Sequence, residues 1–500
     1  MSAADTRYVL NNIRPDLPAT EVPPDTWTDC SNMLGRNGQQ QRSQGNSTYS
    51  NALYATYPLY FTNQVFNTGQ TQTVAGSASA ITLFLDSGAP NILPGFTAGS
   101  YTPGDVTGGT LNNVAVLNYP NQVPYSYAIG GSLAQFPTTG NGWPAANRCR
   151  VMRPWKSHLF AGYITQGASL YPDMLAWSSA ATPTGGLPTE WVPTTTNDAR
   201  SITLADSPGG IVDMVPLRDQ LLVFKRDAVY TLSFTGGTLV FSSRKVTDSF
   251  GLIAPNCAVD IGGQLVILTP SGDVMLTDGQ SFKSIAATWV QLAIGNYLSA
   301  NLAEQKGCWL AYDESTGDVL VALVGAGSTV ATLAYVWNAR TQLWGQQAIA
   351  PATFGLTYAS YTTLPGTNTD LALLGSETRA AGAGALVTVA SSQTFYGVGI
   401  TGTVVRYGLD LGEPDAVKTV VRVDLNVSCQ DGATVNLRIG GTLRESEAIV
   451  LGSNIPGNAA NNFQCPCFAT GRFIHLSISS TDPGWQCHGF TVITGTVSQY

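Results

Sequence analysis

The chain has 500 residues, too many for one ordinary hydrophobic core, so its length predicts two to four domains or one large all-β body with appendages. Only 11% of the residues are charged, less than half the roughly 25% of a typical soluble domain. The net charge of −8 argues against a protein that grips nucleic acid, because phosphate binding needs clustered Lys and Arg. It does not exclude a protein that lets DNA pass without sticking.

Residues 1–60 have little regular periodicity. Pro15, Pro18, Pro23 and Pro24 forbid a long helix and favour an extended chain. We therefore predict an N-terminal arm that lies across a body or a neighbouring subunit.

Residues 61–110 are rich in Thr, Ser, Gly and Ala, with one clear strand candidate at Ile81–Leu85. One interpretation is a low-complexity surface loop. The other is a small β insertion that contacts a partner or projects into a channel. We predict an insertion here, and the sequence leaves both interpretations open.

Short strands recur over residues 111–405, and they are densest in Ile211–Phe282. There Leu221–Phe224 and Val229–Phe234 flank one turn, and Leu265–Leu268 and Val274–Leu276 flank another. Apolar runs of this length, separated by Gly, Asp and Pro, predict β-hairpins.

The spacing of the hairpin turns predicts a repeat. Arg226, Gly272 and Gly317 are 46 and 45 residues apart. Two hairpins, Cys308–Leu323 and Leu333–Trp344, together form one four-stranded unit, the size of a β-propeller blade. At this spacing residues 111–405 hold about six irregular blades. Between two units, helical spacing of apolar residues predicts a helix within residues 289–302.

Residues 406–500 have a different pattern. The run from Thr419 to Val427 alternates, and it places on one face Val421, Val423, Leu425 and Val427. Further alternating runs follow, including Phe473–Ile478. This pattern predicts a small antiparallel β-sandwich-like domain.

Few residues suit catalysis. The chain has three histidines, His158, His475 and His488, and none has a recognisable partner pattern. His475 alternates with Ile474 and Leu476 along a strand, so we expect it on the exposed face.

The only cluster of soft metal ligands is Cys465-Pro466-Cys467 with His475, Cys487 and His488. Its spacing is a poor match to a zinc site, so buried thiols are the favoured interpretation. The N-terminus lacks the features of a secretory signal, and no run of 18 apolar residues exists, so we expect synthesis in a reducing cytoplasm with mostly free thiols and no membrane partner.

Sequence motifs for known chemistry are absent: there is no Gly-Xaa-Ser-Xaa-Gly and no Walker A pattern. The acidic pairs Asp313/Glu314 and Glu413/Asp415 lie in turn contexts, which favours solvated loop carboxylates. A glycosidase pair could still arise in space, because its carboxylates need no sequence proximity. We predict no catalytic residue, no cofactor and no metal, and therefore not an enzyme.

Several short stretches, taken together and in this order, resemble tail nozzle proteins of short-tailed bacteriophages. They are Arg14–Pro18, Val22–Asp29, Asn32, Gly45, Ala176–Ser179, Thr189–Trp191, Asn197–Arg200, Leu217–Asp219, Val229–Tyr230, Phe250–Leu252, Thr277–Gly279, Gly471–Phe473, Gly484–Trp485 and Gly489–Phe490. The resemblance covers most of the chain except residues 62 to 110. The chain is similar in this respect to tail tubular protein B and to packaged-DNA stabilisation proteins.

The resemblance implies a structural virion protein built on a β-propeller. Members of the family form a hexameric ring below the portal and adaptor, continue the DNA channel, hold tail fibres or spikes, and retain the packaged DNA until infection. The scarcity of charge agrees with a subunit of an assembly, because burying amides and hydroxyls between subunits costs less than burying charge. The net negative charge suits a lumen through which DNA slides.

The alternative is a propeller-based tail protein that binds or cleaves glycans. The 20 Tyr, 17 Phe and 10 Trp would suit stacking on sugars. Aromatic residues in strands are nevertheless more often part of the core.

Overall fold

The computed structural model describes residues 5–10, 12–36, 39–50, 56–66, 68–182, 186–236, 240–351, 354–379 and 383–495. Strands account for 52% of the chain and helix for 4%, so the predicted all-β class is confirmed. Seven short strands come first: β1 (Asp5–Val9), β2 (Asn12–Ile13), β3 (Thr26–Trp27), β4 (Asp29–Ser31), β5 (Met33–Arg36), β6 (Gln39–Arg42) and β7 (Gly45–Thr48).

Five separate four-stranded antiparallel sheets follow in chain order. Sheet 1 contains β8 (Pro58–Val65), β9 (Thr71–Ser77), β10 (Ile81–Phe84) and β11 (Asn91–Leu93). Sheet 2 contains β12 (Thr107–Leu111), β13 (Val114–Asn118), β14 (Tyr125–Ala128) and β15 (Ala134–Gln135). Sheet 3 contains β16 (Asn147–Trp155), β17 (His158–Gln166), β18 (Ser169–Trp177) and β19 (Arg200–Thr203). Sheet 4 contains β20 (Ile211–Leu217), β21 (Gln220–Lys225), β22 (Val229–Phe234) and β23 (Phe241–Thr247). Sheet 5 contains β24 (Ala258–Asp260), β25 (Leu265–Leu268), β26 (Val274–Thr277) and β27 (Phe282–Ser284).

Two further units of four strands belong to a larger sheet. Helix α1 (Thr288–Ser299) precedes them. Sheet 6 contains β28 (Trp309–Asp313), β29 (Asp318–Val324), β30 (Ala331–Asn338) and β31 (Trp344–Ala348). Sheet 7 contains β32 (Gly355–Thr363), β33 (Leu371–Thr378) and β34 (Gly384–Ser392), and its fourth strand is β7 from the N-terminal segment. The two-residue strands β35 (Thr394–Phe395) and β36 (Val398–Gly399) form a small hairpin after it.

The first strands of these sheets form a closed ring, as in a β-propeller. Each first strand contacts the first strand of the next sheet, from β8 through β12, β16, β20, β24 and β28 to β32, and β32 contacts β8. Side-chain hydrogen bonds also join the first sheet to the last: Asn63 Nδ2 donates to Thr362 Oγ1 at 2.7 Å and to the Thr363 carbonyl at 2.9 Å. Within the described residues the ring therefore contains seven sheets, where the turn spacing predicted about six.

The additional sheet is sheet 1, which precedes the region in which the turn spacing was counted. Residues 61–110, which we expected to form an insertion, contribute most of sheet 1 and the start of sheet 2. The strand β9 is fully buried although its sequence, TQTVAGS, is small and polar, so no apolar periodicity marked it. The turns that gave the spacing are not equivalent, because those at Arg226 and Gly272 join second to third strands and that at Gly317 joins the first two strands of sheet 6.

Helix α1 confirms the predicted helix, although it ends at Ser299 rather than at residue 302. Its buried residues are Trp289, Val290, Ile294 and Leu298, which lie on one face of the helix. In the portion of the chain that the structure describes, no helix is long and apolar enough to cross a membrane.

The C-terminal region is a two-sheet sandwich, as its alternation predicted. Its strands are β37 (Gly402–Leu409), β38 (Lys418–Ser428), β39 (Val435–Thr442), β40 (Ile455–Gly457), β41 (Gln464–Gly471), β42 (Phe473–Ser480) and β43 (Gln486–Gly495). One sheet has the order β4-β37-β42-β39-β40, and the other has β41-β38-β43 with β1 and β6 beside β43. The expected apolar face of β38 is wrong at Val421, which is 39% exposed, because a register shift between Val420 and Arg422 buries Val420 instead.

The N-terminal strands join the ring to the sandwich. β4 pairs with β37, β6 pairs with β43, and β5 pairs with β31 at the outer edge of sheet 6. Sheets 6 and 7 are consequently continuous with one sandwich sheet in a 14-stranded sheet. One hydrophobic cluster also runs from the ring into the sandwich, since it includes both Leu265 of sheet 5 and Val423 of β38.

Candidate functional site

A cavity of about 450 Å³ lies at the axis of the ring, where the first strands converge. Its walls come from six of the seven sheets, beginning with Gly108 of β12 and ending with Tyr361 of β32. Ligand sites in proteins are usually concave and combine apolar walls with a few polar groups. This cavity is therefore the candidate functional site.

One arginine organises the floor of the cavity. Arg153, on β16, donates from Nε to Asp213 Oδ1 at 2.8 Å and from Nη2 to Asp213 Oδ2 at 2.9 Å. Nη2 also donates to Asn256 Oδ1 at 2.6 Å, and Nη1 donates to Tyr60 Oη and the Gly108 carbonyl, both at 3.1 Å. These bonds use all five N–H donors of the guanidinium group and connect sheets 1 to 4 with the segment that leads into sheet 5.

The carboxylate of Asp213 also has all of its hydrogen-bond acceptor positions occupied. It also accepts the backbone N–H of Met214 and that of Asn256, each at 2.8 Å. Its side chain is 1% exposed and that of Arg153 is 12% exposed. A buried carboxylate with this many donors has no free lone pair for a substrate, so the pair holds the ring together rather than performing acid–base chemistry.

Burial and nearby charge determine the protonation states of the ionisable side chains at the floor of the cavity. Burial lowers the pKa of Arg153, but the adjacent Asp213 carboxylate outweighs it and the net pKa is raised, so the guanidinium stays charged. Burial raises the pKa of Tyr60 and of Tyr358, whose rings lie 4.9 Å apart. Both phenols therefore remain protonated at neutral pH.

The wall of the cavity is less constrained. Asp260, the last residue of β24, is exposed, and its Oδ1 accepts the N–H groups of Gly262 and Gly263 at 3.0 and 2.7 Å. Glu314 follows β28 directly and is exposed. Beside them lie the half-buried Tyr312 and Tyr361. Burial raises the pKa of Tyr361, and so do the nearby carboxylates of Asp313 and Glu314.

The acidic pairs singled out in the sequence have different environments. Asp313 is buried rather than solvated, and its carboxylate accepts the N–H of Ser315 at 2.9 Å within the predicted turn. Its neighbour Glu314 is exposed but lines the cavity. Glu413 and Asp415 are exposed in a loop, where Asp415 lies 3.2 Å from Arg472.

The expectation of an exposed His475 is wrong, because its side of the sheet is also covered. His475 is 3% exposed, its Nδ1 accepts the N–H of Gly408 at 3.1 Å, and its Nε2 lies 3.0 Å from the Thr442 hydroxyl. Burial lowers its pKa to about 4. The ring is neutral at pH 7 and serves as a buried hydrogen-bonding group.

The other two histidines lie in unrelated places. His158 is buried against Phe241, with ring centroids 5.0 Å apart, and neither of its ring nitrogens has a hydrogen-bond partner among the described residues. His488 Nε2 lies 3.0 Å from the Ser428 hydroxyl. The structure brings none of the three histidines to the axial cavity.

The eight cysteines all lie within the described residues and are free thiols. Burial raises the pKa of Cys465 to about 11 and of Cys487 to about 12, so both stay protonated. Among the residues described, no group of three or more His, Cys, Asp or Glu is placed to hold a metal ion. The cluster of soft ligands noted in the sequence, Cys465, Cys467, His475, Cys487 and His488, is therefore not brought together as a set of metal ligands.

The residues that organise the axis are ones that sequence reasoning missed. Arg153 and Asp213 are 60 positions apart, and no motif links them. A signal was present in Asp213, a carboxylate within the otherwise apolar run Ile-Val-Asp-Met-Val. Because a buried charge needs a partner, such a residue marks a position where an opposite charge must arrive from elsewhere.

No protein-family model matches this chain, and no curated protein is similar enough to count as a match. Similar solved structures include a catalytically inactive virginiamycin B lyase from Staphylococcus aureus with quinupristin, at 9% identity and a TM-score of 0.41, over 69% of this chain and 98% of that one. BBS1N in complex with ARL6DN has 12% identity and a TM-score of 0.40, over 72% and 97%. PorZ from Porphyromonas gingivalis has 10% identity and a TM-score of 0.35, over 75% and 44%. All three TM-scores are low, and the ring of this chain is defined by its own strand pairing.

Proposed function

We propose that the chain is a structural virion protein, the subunit of a tail nozzle ring in a short-tailed bacteriophage. In this role it continues the DNA channel below portal and adaptor, retains packaged DNA, and supports tail fibres or spikes. The sequence resemblance suggests the role and a hexameric ring. It implies localisation in the tail of the virion, after synthesis in the host cytoplasm.

The observation that carries the proposal is the 14-stranded sheet shared by the ring and the sandwich. A conduit for DNA under pressure needs stiff subunits. Domains joined by a flexible linker move relative to one another by default. Here the hairpin β5–β6 bridges β31 and β43 by backbone hydrogen bonds, and one hydrophobic cluster crosses the same junction.

The surface gives a second line of support. Several large apolar side chains are mostly exposed: Phe468 (79%), Val450 (75%), Leu302 (73%), Ile92 (68%) and Val398 (64%). In an assembly such residues can be covered by neighbouring subunits, and low surface charge reduces the cost of that burial. The acidic balance of the chain suits contact with DNA that must move rather than bind.

The test is the oligomeric state beside the natural partners. We expect native mass spectrometry and negative-stain microscopy of the purified 52.6 kDa chain, mixed with the portal–adaptor assembly of its parent particle, to show a sixfold ring capping that assembly. A chain that remains a monomer beside its adaptor would count against the nozzle role. Cryo-EM density for the chain away from the tail axis would rule out the DNA conduit.

The alternative role, binding or cleavage of glycans, has its own readout. Incubation with the host's surface polysaccharide should release no new reducing ends if the chain is purely structural. Measurable cleavage would favour the alternative and would direct attention to the axial carboxylates Asp260 and Glu314.

A further inference from the structure

The floor and the wall of the axial cavity differ in their free hydrogen-bonding capacity. On the floor, Arg153 and Asp213 are committed to each other and to neighbouring strands. On the wall, Asp260 keeps Oδ2 outside the turn bonds made by its Oδ1, and Glu314 is exposed. A ligand that enters the cavity therefore meets the carboxylates of the wall as its available charged partners.

The charge of the lining selects the sign of that ligand. Among the described residues that line the cavity, Arg153 is the only cation, and Asp213 neutralises it. Asp260 and Glu314 then leave the lining with a net charge of about −2 at neutral pH. Arg218 approaches Gly263 but is not part of the lining. Phosphate groups and anionic sugars are repelled by such a site, and cations are attracted.

The tyrosines specify the kind of cation. Tyr312 and Tyr361 line the wall of the cavity and are half-buried, and Tyr358 lines it beside the floor, where its ring lies 4.9 Å from that of Tyr60. Aromatic faces attract ammonium and guanidinium groups, and the apolar parts of the rings accommodate an aliphatic stem. Metal ions are less suited, because in the part of the chain described here no three acidic, His or Cys side chains converge on one point.

We propose that the axial cavity binds an organic cation, an ammonium or guanidinium group carried on a short aliphatic stem. Asp260 and Glu314 supply the opposite charge, and the tyrosines supply the aromatic wall. The volume of about 450 Å³ lies within the range of small-molecule sites. The cation is either a free amine or a Lys or Arg side chain presented by a partner protein. The proposal goes beyond the nozzle role and does not depend on it.

The test is isothermal titration calorimetry of the full chain at low salt with two cationic probes. Agmatine represents a free amine, and N-acetyl-arginine methylamide represents an arginine within a partner chain. Glucose and inorganic phosphate are the neutral and anionic controls. We expect agmatine to bind and to lose affinity as salt is added, because the contact is between exposed charges. Tighter binding of the blocked arginine than of agmatine would identify a partner side chain as the source, and tighter binding of agmatine would identify a free amine.

A charge-matched pair of variants assigns the binding to the cavity. We expect Asp260→Asn/Glu314→Gln to weaken agmatine at least tenfold. Glu413→Gln/Asp415→Asn, which removes the same charge from an exposed loop, should leave the affinity unchanged. All four carboxylates are exposed, so both variants should fold, which circular dichroism checks. The proposal is overturned if neither cation binds at concentrations up to about 10 mM, because a specific small-molecule site binds its ligand more tightly than that. An equal loss in both variants, or tighter binding of glucose or phosphate, also overturns it.

Discussion

Arg153 and Asp213 form a bidentate ion pair at the axis of the ring, with Nε–Oδ1 and Nη2–Oδ2 distances of 2.8 and 2.9 Å. The two residues come from the first strands of neighbouring sheets. Because the guanidinium also bonds Tyr60, the pair secures the innermost strands of several sheets at once. The geometry is the parallel, bidentate kind that makes arginine–carboxylate pairs strong.

The first prediction concerns this pair. Removing one partner leaves a buried charge alone, so Arg153→Met and Asp213→Leu should each lower the free energy of unfolding by about 3–5 kcal/mol. The double variant should lose less than the sum, because no lone charge remains. Urea unfolding followed by circular dichroism measures this. Arg14→Met, at the more exposed pair with Asp16, is the control and should cost below about 1 kcal/mol. Equal losses at both sites would contradict the structural role of the axial pair.

The second prediction compares two glycines in the left-handed region. Gly408 has φ +70°, and a Cβ there would lie 2.3 Å from the Ala19 carbonyl oxygen. Gly412 has φ +81° with open space around it. Gly412→Ala should cost about 1–2 kcal/mol for the conformation alone. Gly408→Ala should cost about 1–3 kcal/mol more, because it also overpacks a close backbone approach. Thermal melts of the two variants give the difference, and equal melting temperatures would show that the N-terminal segment does not lie against β37 in solution.

The third prediction concerns pH. The pKa of His475 is about 4 in the folded chain, below the ordinary value of 6.5, because burial disfavours the charged ring. The unfolded chain binds the proton more readily between these values. The stabilisation is therefore complete above pH 6.5 and is lost as pH falls from 6.5 towards 4, by up to about 3 kcal/mol.

Urea unfolding at pH 7 and pH 5 tests this. His475→Asn retains an acceptor near the N–H of Gly408 but cannot titrate, so its unfolding should depend less on pH than that of the unaltered chain. His488→Asn, at a half-buried site, is the matched control and should keep the full dependence. The assignment to His475 fails if the two variants respond alike to pH.

The fourth prediction concerns the closure of sheet 7 by the N-terminal strand β7. Asn46 is 1% exposed, its Nδ2 donates to the Ile349 carbonyl at 2.7 Å, and its Oδ1 accepts the N–H of Ala390 at 3.3 Å. Asn46→Ala leaves these backbone groups without partners and should lower the free energy of unfolding by about 1–3 kcal/mol. Hydrogen exchange should accelerate in β7 and β34 before the rest of the ring. Asn91→Ala, on an exposed edge strand, should change stability by less than about 0.5 kcal/mol. Unchanged exchange in β34 would exclude a closing role for β7.

Much of the local structure was predictable. The hairpins expected at Leu221–Phe234 and Leu265–Leu276 are β21–β22 and β25–β26. The sandwich was also recognisable from alternation, because a strand with one buried face repeats every two residues. Sheet 1 was recognisable only in part: the strand candidate Ile81–Leu85 is β10, but the buried positions of β9 hold mostly Thr, Gln, Ala, Gly and Ser rather than large apolar residues.

The axial site was beyond the reach of sequence patterns. Its side chains come from several different sheets and no motif links them, although Asp213 within an apolar run did signal a buried charge. Glu314 was identified as a turn carboxylate, which is correct locally, but only the ring places it at the cavity. His475 is a further example. Alternation places it on the face opposite Ile474 and Leu476, but it gives no information about whether other parts of the chain cover that face, as they do.

The sequence by itself determined the all-β class, the positions of most hairpins, the helix α1 and the sandwich, because these depend on side chains within a few residues of one another. The tertiary structure decided the number of sheets in the ring, the union of the ring with the sandwich through β5–β6, and the ion pair at the axis. Those features depend on contacts such as that between Asn63 and Thr362, 299 positions apart, which form only when the chain has closed on itself. Local periodicity carries no information about which distant strand will become a neighbour.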